Sequence, residues 1–448
     1  MEDRIYELFL GGKNILIHGP SGTGKSYTIN LIIDLINRTD QANTIIAAPT
    51  GAAAIHIGGS TIHSQFNIPC YNVPEKIVKN IGNYDYTSKN NNSAVNDFIT
   101  KFTMRSGFNE KNLKYLIIDE ISMVGASLLT ILDGILREKY EHDLPMGGVQ
   151  CIFSGDFYQL PPVKDEYCCF TETWNKMNIV QVKFKESKRY DGEKSIDYFD
   201  FICRLRKGNL LAMDTSLIKS RIDAYNSGDH LKFEIKPIRL FPTNRDIDTY
   251  NARELALITN EEFVFKAVDN IRLAAGLTRN ESFKCQQEAK SMLDEKMVEE
   301  LHLKIDAQVI FTSNYDVPRK LVNGRMAKII AITQDQPELA EPNLLSYSVT
   351  VRDYDGCEFV IRPTTWTNNT KKYSCSRIQF PFKLAWAISI HRSQGMTIDK
   401  AVIDISRSFC AGQSYVAISR VKNIDGLFIV TANMKKIYAD PRILEKFH

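Results

Sequence analysis

The chain lacks a net charge of any size, and it lacks every cysteine pattern that marks a disulfide framework or a zinc ribbon. Its 448 residues carry 56 Lys and Arg against 53 Asp and Glu, a formal charge of +3. That balance excludes a globally basic nucleic-acid surface and leaves only a local groove for such a partner. Nine cysteines include no C-x-x-C, and Cys168-Cys169 are adjacent, which rules out an ordinary structural bridge between them. Such usage predicts reduced thiols in a cytoplasmic or nuclear compartment. No apolar run approaches the length of a membrane span, so no membrane partner is expected. The opening MEDRIYELFLGG has acids early and no small-residue cleavage site, so neither a signal peptide nor a transit peptide is expected.

A hydrophobic content of 44% and a charged content of 24% are those of a globular protein, and the length calls for more than one domain. Alternating apolar strands and periodic helical stretches predict an α/β chain. Strands are expected at Asn14–Ile17, Thr44–Ala48, Tyr115–Ile118 and Val149–Phe153, with a helix over Ala126–Tyr140. Between them, Tyr84–Asn92 (YDYTSKNNN) reads as a polar surface insertion. A second α/β unit is expected from about Glu186, with strands at Ile238–Phe241, Lys400–Ile405 and Leu427–Val430. Short β-type runs between Met297 and Arg377, broken by Gly, Asn and Pro, predict a small barrel inserted in that unit.

The sharpest chemical signal is Gly19–Ser26, GPSGTGKS, set between an apolar strand and a helix. In that context G-x-x-x-x-G-K-[ST] is a phosphate cradle. Gly22 and Gly24 let backbone N–H groups close on phosphates, and the helix N-terminus favours the anion. Lys25 is expected to reach the β- and γ-phosphates and Ser26 to hold Mg²⁺, so ATP and Mg²⁺ are the expected ligands. Gly19, Ser21, Thr23 and Tyr27 complete the expected nucleotide contacts.

Leu116–Glu120 is an apolar strand that ends in two acids. Asp119 is expected to coordinate the metal, and Glu120 to orient and deprotonate the attacking water. Gln159, in the turn after the next strand, is a candidate γ-phosphate sensor that loses its bond on hydrolysis. Arg420 closes the apolar run Gly412–Ser419, where an arginine can stabilise transition-state charge from a second domain.

Taken in order, these motifs resemble the Pif-type family of superfamily 1B helicases. The matching stretches are GPSGTGKS, APTGAAAIHIGGSTIHS (Ala48–Ser64), LIIDEISMV (Leu116–Val124), GDFYQLPPV (Gly155–Val163), LHLKIDAQVIFTSN (Leu301–Asn314), LVNGRMAKI (Leu321–Ile329), FKLAWAISIHRSQGMT (Phe382–Thr397) and GQSYVAISR (Gly412–Arg420). Pro145–Gln150, PMGGVQ, and Arg377–Gly395 are similar to the elements that separate this family from RecD-like relatives.

The resemblance implies two RecA-like P-loop NTPase domains. A short wedge insertion interrupts the first, and a small β-barrel insertion interrupts the second. The expected boundaries are 1–65 with 111–185, a wedge at 66–110, a second domain at 186–296 with 379–448, and a barrel at 297–378. It further implies an ATP-dependent 5′-to-3′ DNA helicase, acting as a monomer on single-stranded and forked duplex DNA. A RecD-like or phage-type helicase, an RNA helicase and an inactive DNA-binding scaffold are the competing readings. Pro49, Thr50, Gly51, Ser60, Thr61 and His63 would touch DNA from the first domain, and Thr243, Asn244, Asn323 and His391 from the second. Such groups bind phosphates without reading sequence. Phe66, Tyr71 and Trp366 are candidate base-stacking residues. Gly395 joins the nucleotide set, and Arg189 is the second catalytic arginine.

Two departures from the family pattern stand out. No Gln lies between Met1 and Gly19, so adenine recognition by that side chain is not expected. The Arg-Gln pair that opens the second domain in the family is Arg189-Tyr190 here.

Overall fold

The computed structural model describes residues 2–447 apart from 40–42, 69–72, 89–90, 105, 107, 189–192, 244–246, 314, 317, 320, 336–342 and 370–372. The chain divides into two compact units. The first comprises 1–209, 410–415 and 437–448, and the second 210–409 and 416–436.

The first unit is built on six parallel strands: β1 (Ile15–His18), β2 (Thr44–Ala48), β3 (Ser60–Thr61), β4 (Tyr115–Ile118), β5 (Gln150–Gly155) and β6 (Val180–Lys183). Their spatial order is β3-β2-β4-β5-β1-β6. Every residue of β1 and β4 is buried, as expected for a parallel sheet covered on both faces. The helix Lys25–Thr39 lays Ile29, Ile32 and Ile36 onto that sheet, against Ile15, Ile17, Ile117 and Ile152. Spacings of three and four residues put them on one helical face. Burying each isoleucine contributes about 1.5–3 kcal/mol.

The boundary expected at 185 lies further along the chain. Helix Glu193–Lys207 belongs to the first unit because Arg206, near its end, forms a buried ion pair with Asp156 after β5. The C-terminal helix Pro441–Lys446 belongs there too. Phe447 stacks on Phe157 with ring centroids 4.8 Å apart, and Arg442 pairs with Glu166 at 2.7 Å.

Among the described residues of 66–110, the stretch expected as an insertion, helices Glu75–Ile81 and Ser93–Thr103 both pack on helix Ala126–Tyr140. The expected polar surface character of 84–92 holds only in part. Tyr84 is buried, and Asn91 folds the turn through its amide bonds to the backbone of Asp85 and Ser88.

In the second unit a four-stranded parallel sheet runs in the order Ala387–Ser389, Ile238–Phe241, Ala401–Ile403, Leu427–Ile429. The antiparallel region is wider than 297–378. Strand Glu262–Lys266 pairs with Glu300–Lys304, Val268–Leu273 pairs with Tyr373–Gln379, and Phe382–Leu384 completes the five-stranded sheet beside Gln308–Phe311. Helix Arg279–Lys296 packs Cys285, Ala289 and Leu293 against Tyr373 and Cys375. Among the described residues no helix is long and apolar enough to cross a membrane.

Candidate nucleotide and nucleic-acid sites

In a parallel sheet the C-terminal strand ends present the loops that carry chemistry. Here β1 leads into the glycine loop, β4 into Asp119-Glu120, and β5, which lies between them, into the Asp156–Gln159 turn. Gly22 and Gly24 have φ of +81° and +88°, values that cost other residues strain, and helix Lys25–Thr39 starts directly after them.

The groups expected to serve the phosphate and metal come together. Ser26 Oγ donates to Asp119 Oδ2 at 2.9 Å, and the Glu120 N–H donates to Asp119 Oδ1 at 2.9 Å. A hydroxyl beside a buried carboxylate is a hard-oxygen pair, which is the donor chemistry Mg²⁺ requires. Glu120 has left-handed backbone angles, φ 51° and ψ 43°, a conformation costing roughly 1–2 kcal/mol in a non-glycine residue and concentrated at functional sites.

Lys25 Nζ donates to the carbonyl oxygens of Gly19 and Pro20, both at 3.0 Å, and Thr23 Oγ1 donates to Pro20 at 2.9 Å. Burial lowers the Lys25 pKa, while Asp156, Glu120 and Asp119 pull it the other way. The lysine thus lies in the field of three carboxylates. Gln159 is buried in the same turn as Asp156. Gly19 and Ser21 lie in the loop, and Tyr27 is 63% exposed on the first helical turn.

A buried network that sequence reasoning missed lies behind the loop. Arg206 donates to Asp156 through Nε at 3.0 Å and Nη2 at 2.7 Å, and its guanidinium lies 3.9 Å from the centre of the Tyr158 ring. Tyr415 Oη donates to Asp156 Oδ2 at 2.9 Å and accepts the Ser21 N–H at 2.9 Å. Burial alone would raise the Asp156 pKa, but the Arg206 charge and hydrogen bonds more than offset this and hold it below the usual carboxylate value. Asp156 stands inside the GDFYQLPPV run, so the sequence carried a signal for it. Arg206 carried none.

The residues expected on a DNA track occupy two sheet edges, each within its own unit. Pro49, Thr50 and Gly51 follow β2, while Ser60 and Thr61 form its neighbour β3, in register Ala48 to Thr61. Thr50 Oγ1 accepts the Ala53 N–H, and Thr61 Oγ1 accepts the Ser64 N–H, so both hydroxyls cap short helices. His63 Nδ1 lies 3.2 Å from the Ile68 carbonyl oxygen, so this nitrogen carries the proton. Burial lowers the His63 pKa; a neutral ring then leaves Nε2 as a lone-pair acceptor rather than a phosphate donor. In the second unit Thr243 and His391 follow strands paired through Phe241 and Ser389. Burial lowers the His391 pKa. Asn323 is half-buried in the turn before strand Met326–Gln334, and Gly395 is exposed with φ +76°.

Two expected stacking residues have other surroundings. Phe66 is fully buried and stacks on Phe108 at 4.8 Å, which makes it core and removes it from a base-stacking role. Trp366 packs partly buried on the cluster around Tyr373 and Cys375. Arg420 is buried; its Nε donates to Val416 at 3.1 Å and its Nη2 to Ser419 Oγ at 3.0 Å. Arg189, Asn244 and Tyr71 lie outside the described residues.

The PMGGVQ element is also visible as structure. Asp133 Oδ1 accepts from Arg137 Nε at 2.8 Å and from the Met146 N–H at 2.6 Å, and Oδ2 accepts from Thr173 Oγ1 at 2.9 Å. Gly147 has φ +62°, and a Cβ there would come within 2.4 Å of the Leu136 carbonyl oxygen. The element is therefore clamped onto helix Ala126–Tyr140.

Comparison with known proteins agrees with these motifs. Residues 4–216 match the family model described as PIF1-like helicase. The Xenopus laevis ATP-dependent DNA helicase PIF1 is 30% identical over 450 residues, which cover 98% of this chain and 62% of that protein. The chain thus spans a little under two thirds of that relative's length. Among solved structures, Pif1 helicase from Candida albicans is 27% identical with a TM-score of 0.70, covering 100% of this chain and 98% of that one. Pif1 helicase from Bacteroides in complex with ADP-AlF3 and ssDNA is 26% identical with a TM-score of 0.60, covering 100% and 95%. With its phosphate loop, paired acids and buried Gln159 arranged along one sheet edge, the chain is similar to the PIF1-like helicases, whose family model matches residues 4–216.

Proposed function

We propose that the protein is an ATP-dependent 5′-to-3′ DNA helicase that translocates on single-stranded DNA and unwinds forked duplexes. The observation that carries this reading is the 2.9 Å contact between Ser26 Oγ and Asp119 Oδ2, which joins the phosphate loop to the acidic strand end. The match of residues 4–216 to the PIF1-like helicase model and the complex of a similar Bacteroides protein with ADP-AlF3 and ssDNA support the choice of nucleotide and strand.

The roles follow from the chemistry of each group. Lys25 turns from the Gly19 and Pro20 carbonyls to the β- and γ-phosphates. Ser26 and Asp119 hold Mg²⁺, which would neutralise phosphate charge. Glu120 takes a proton from the attacking water. Gln159 senses the γ-phosphate, and Arg420 and Arg189 stabilise charge in the transition state. The two units act as RecA-like domains, with the 66–110 helices as the wedge and the antiparallel sheets as the inserted barrel. Thr50, Thr61, Thr243, Asn323 and His391 hold the strand by its backbone, which suits movement without sequence preference.

The test is unwinding of a forked duplex carrying a single labelled tail, 5′ or 3′, with and without ATP. Unwinding confined to the 5′-tailed substrate and to ATP supports the proposal. Strand separation without ATP, or from the 3′ tail alone, overturns it. Equal activity on RNA tails would move the assignment to a helicase that ignores the 2′-hydroxyl.

A further inference from the structure

We infer that Tyr415 is a positioning residue for the phosphate loop, holding Ser21 in place while Lys25 changes partners. The inference rests on the nucleotide reading above. Lys25 steadies the loop by donating to Gly19 and Pro20 at 3.0 Å each. Once its ammonium turns to a phosphate, those carbonyls lose a charged donor, and the loop needs a restraint that does not pass through Lys25.

Tyr415 supplies that restraint. Its phenol has a single proton, which goes to Asp156 Oδ2 at 2.9 Å, so the oxygen is left to accept the Ser21 N–H at 2.9 Å. Asp156 is kept ionised by the two-point Arg206 contact, which makes the Tyr415 bond a charge-assisted one. The direction of the whole chain is fixed: the Ser21 amide donates to the phenol, the phenol donates to the carboxylate, and the guanidinium locks the carboxylate. Tyr415 is 1% exposed, so water does not compete for these bonds.

The segment that carries Tyr415 is itself pinned to the sensor turn. Gly412 has φ +74°, and a Cβ there would lie 2.4 Å from the Tyr158 carbonyl oxygen and 2.5 Å from that of Gln159. The Gly412 N–H donates to Tyr438 at 3.1 Å. Tyr415 therefore ties the loop that would hold the phosphates to the turn that carries Gln159, through atoms of the first unit alone.

Tyr415→Phe removes the hydroxyl and keeps the ring. In the full chain, the Kd for a fluorescent ATP analogue and the KM for ATP should rise about tenfold, the loss expected for one hydrogen bond to a charged network. The kcat at saturating ATP should stay within about threefold (about 0.65 kcal/mol of barrier). Single-strand affinity without nucleotide should not change. A role in folding alone would leave the KM unaltered in the folded fraction. In the wild-type protein, amide exchange resolved at Ser21 should show protection without nucleotide as well as with it, and this measurement decides the matter if the variant does not fold. Nucleotide binding by the variant within about twofold of wild type (about 0.4 kcal/mol) overturns the inference, as does unprotected exchange at Ser21. If Lys25→Ala also binds the analogue normally, the nucleotide reading fails instead.

Discussion

Ser26 and Asp119 stand 93 positions apart in the chain and 2.9 Å apart in the fold, hydroxyl to carboxylate. The contact arises because β1 and β4 run parallel in one sheet and end at the same edge, with β5 between them. It turns two separate sequence motifs into one candidate hydrolytic site and sets the first expectation. Glu120→Gln should bind ATP and lose turnover, since an amide cannot accept the proton of water. Ser26→Ala and Asp119→Asn should raise the Mg²⁺ concentration needed for half-maximal ATPase. Turnover by Glu120→Gln within about threefold of wild type (less than about 1 kcal/mol of barrier) would remove it from water activation.

Arg420 offers a second test. Arg420→Ala should lower ATP turnover by roughly 10³-fold, the effect of losing an arginine finger, and Arg189→Ala should do the same. Because Arg420 is buried and bonded to Val416 and Ser419, thermal melting must accompany the kinetics. Turnover that falls only in proportion to the folded fraction would assign the residue to structure.

His18, the last residue of β1, predicts a pH dependence of stability. Burial, followed by the charge of Arg206, brings its pKa down to about 4; Asp156 opposes this, and Lys183 and Lys25 add to it. The unfolded ring titrates near 6.5, so between these values the unfolded chain binds more protons than the folded one. The His18 contribution is therefore complete above pH 6.5 and lost as the pH falls toward 4, amounting to roughly 3 kcal/mol. Urea midpoints measured from pH 7.5 to 4.5 should fall more steeply for wild type than for His18→Gln. Parallel curves would show that this ring does not govern the acid limb.

The PMGGVQ element should act through stability. Asp133→Ala leaves Arg137 buried without its carboxylate and should cost about 3–5 kcal/mol. Gly147→Ala must relieve a 2.4 Å approach to Leu136 at a left-handed backbone position and should also lower the melting temperature. An unchanged melting temperature in both variants would contradict the clamp.

For DNA, a chain of net charge +3 should grip through neutral donors and a few cations. The salt slope of single-strand binding should correspond to about three to five phosphates at roughly 0.7 per contact. His63→Ala and His391→Ala should impair unwinding more than DNA-free ATPase. Equal loss of both activities would mark the rings as structural, with the His63 ring serving its bond to the Ile68 carbonyl.

The phosphate loop, the acidic strand end and the alternation of strands and helices were legible in the sequence by itself, because each is local. A strand, a glycine turn and an amphipathic helix announce themselves within a few residues, and helix Ala126–Tyr140 was delimited to the residue. The tertiary structure decided what depends on distant partners. Phe66 has the ring of a stacking residue, yet it is fully buried and stacked on Phe108. Helix Glu193–Lys207 and the C-terminal helix joined the first unit because Arg206 needed Asp156 and Phe447 found Phe157. The strands at 262–273 fell outside the expected β region because their partners follow at 300–304 and 373–378. Local periodicity fixes which element a segment forms. Burial, ion pairing and strand register fix where that element goes, and these are properties of residues far apart in the chain.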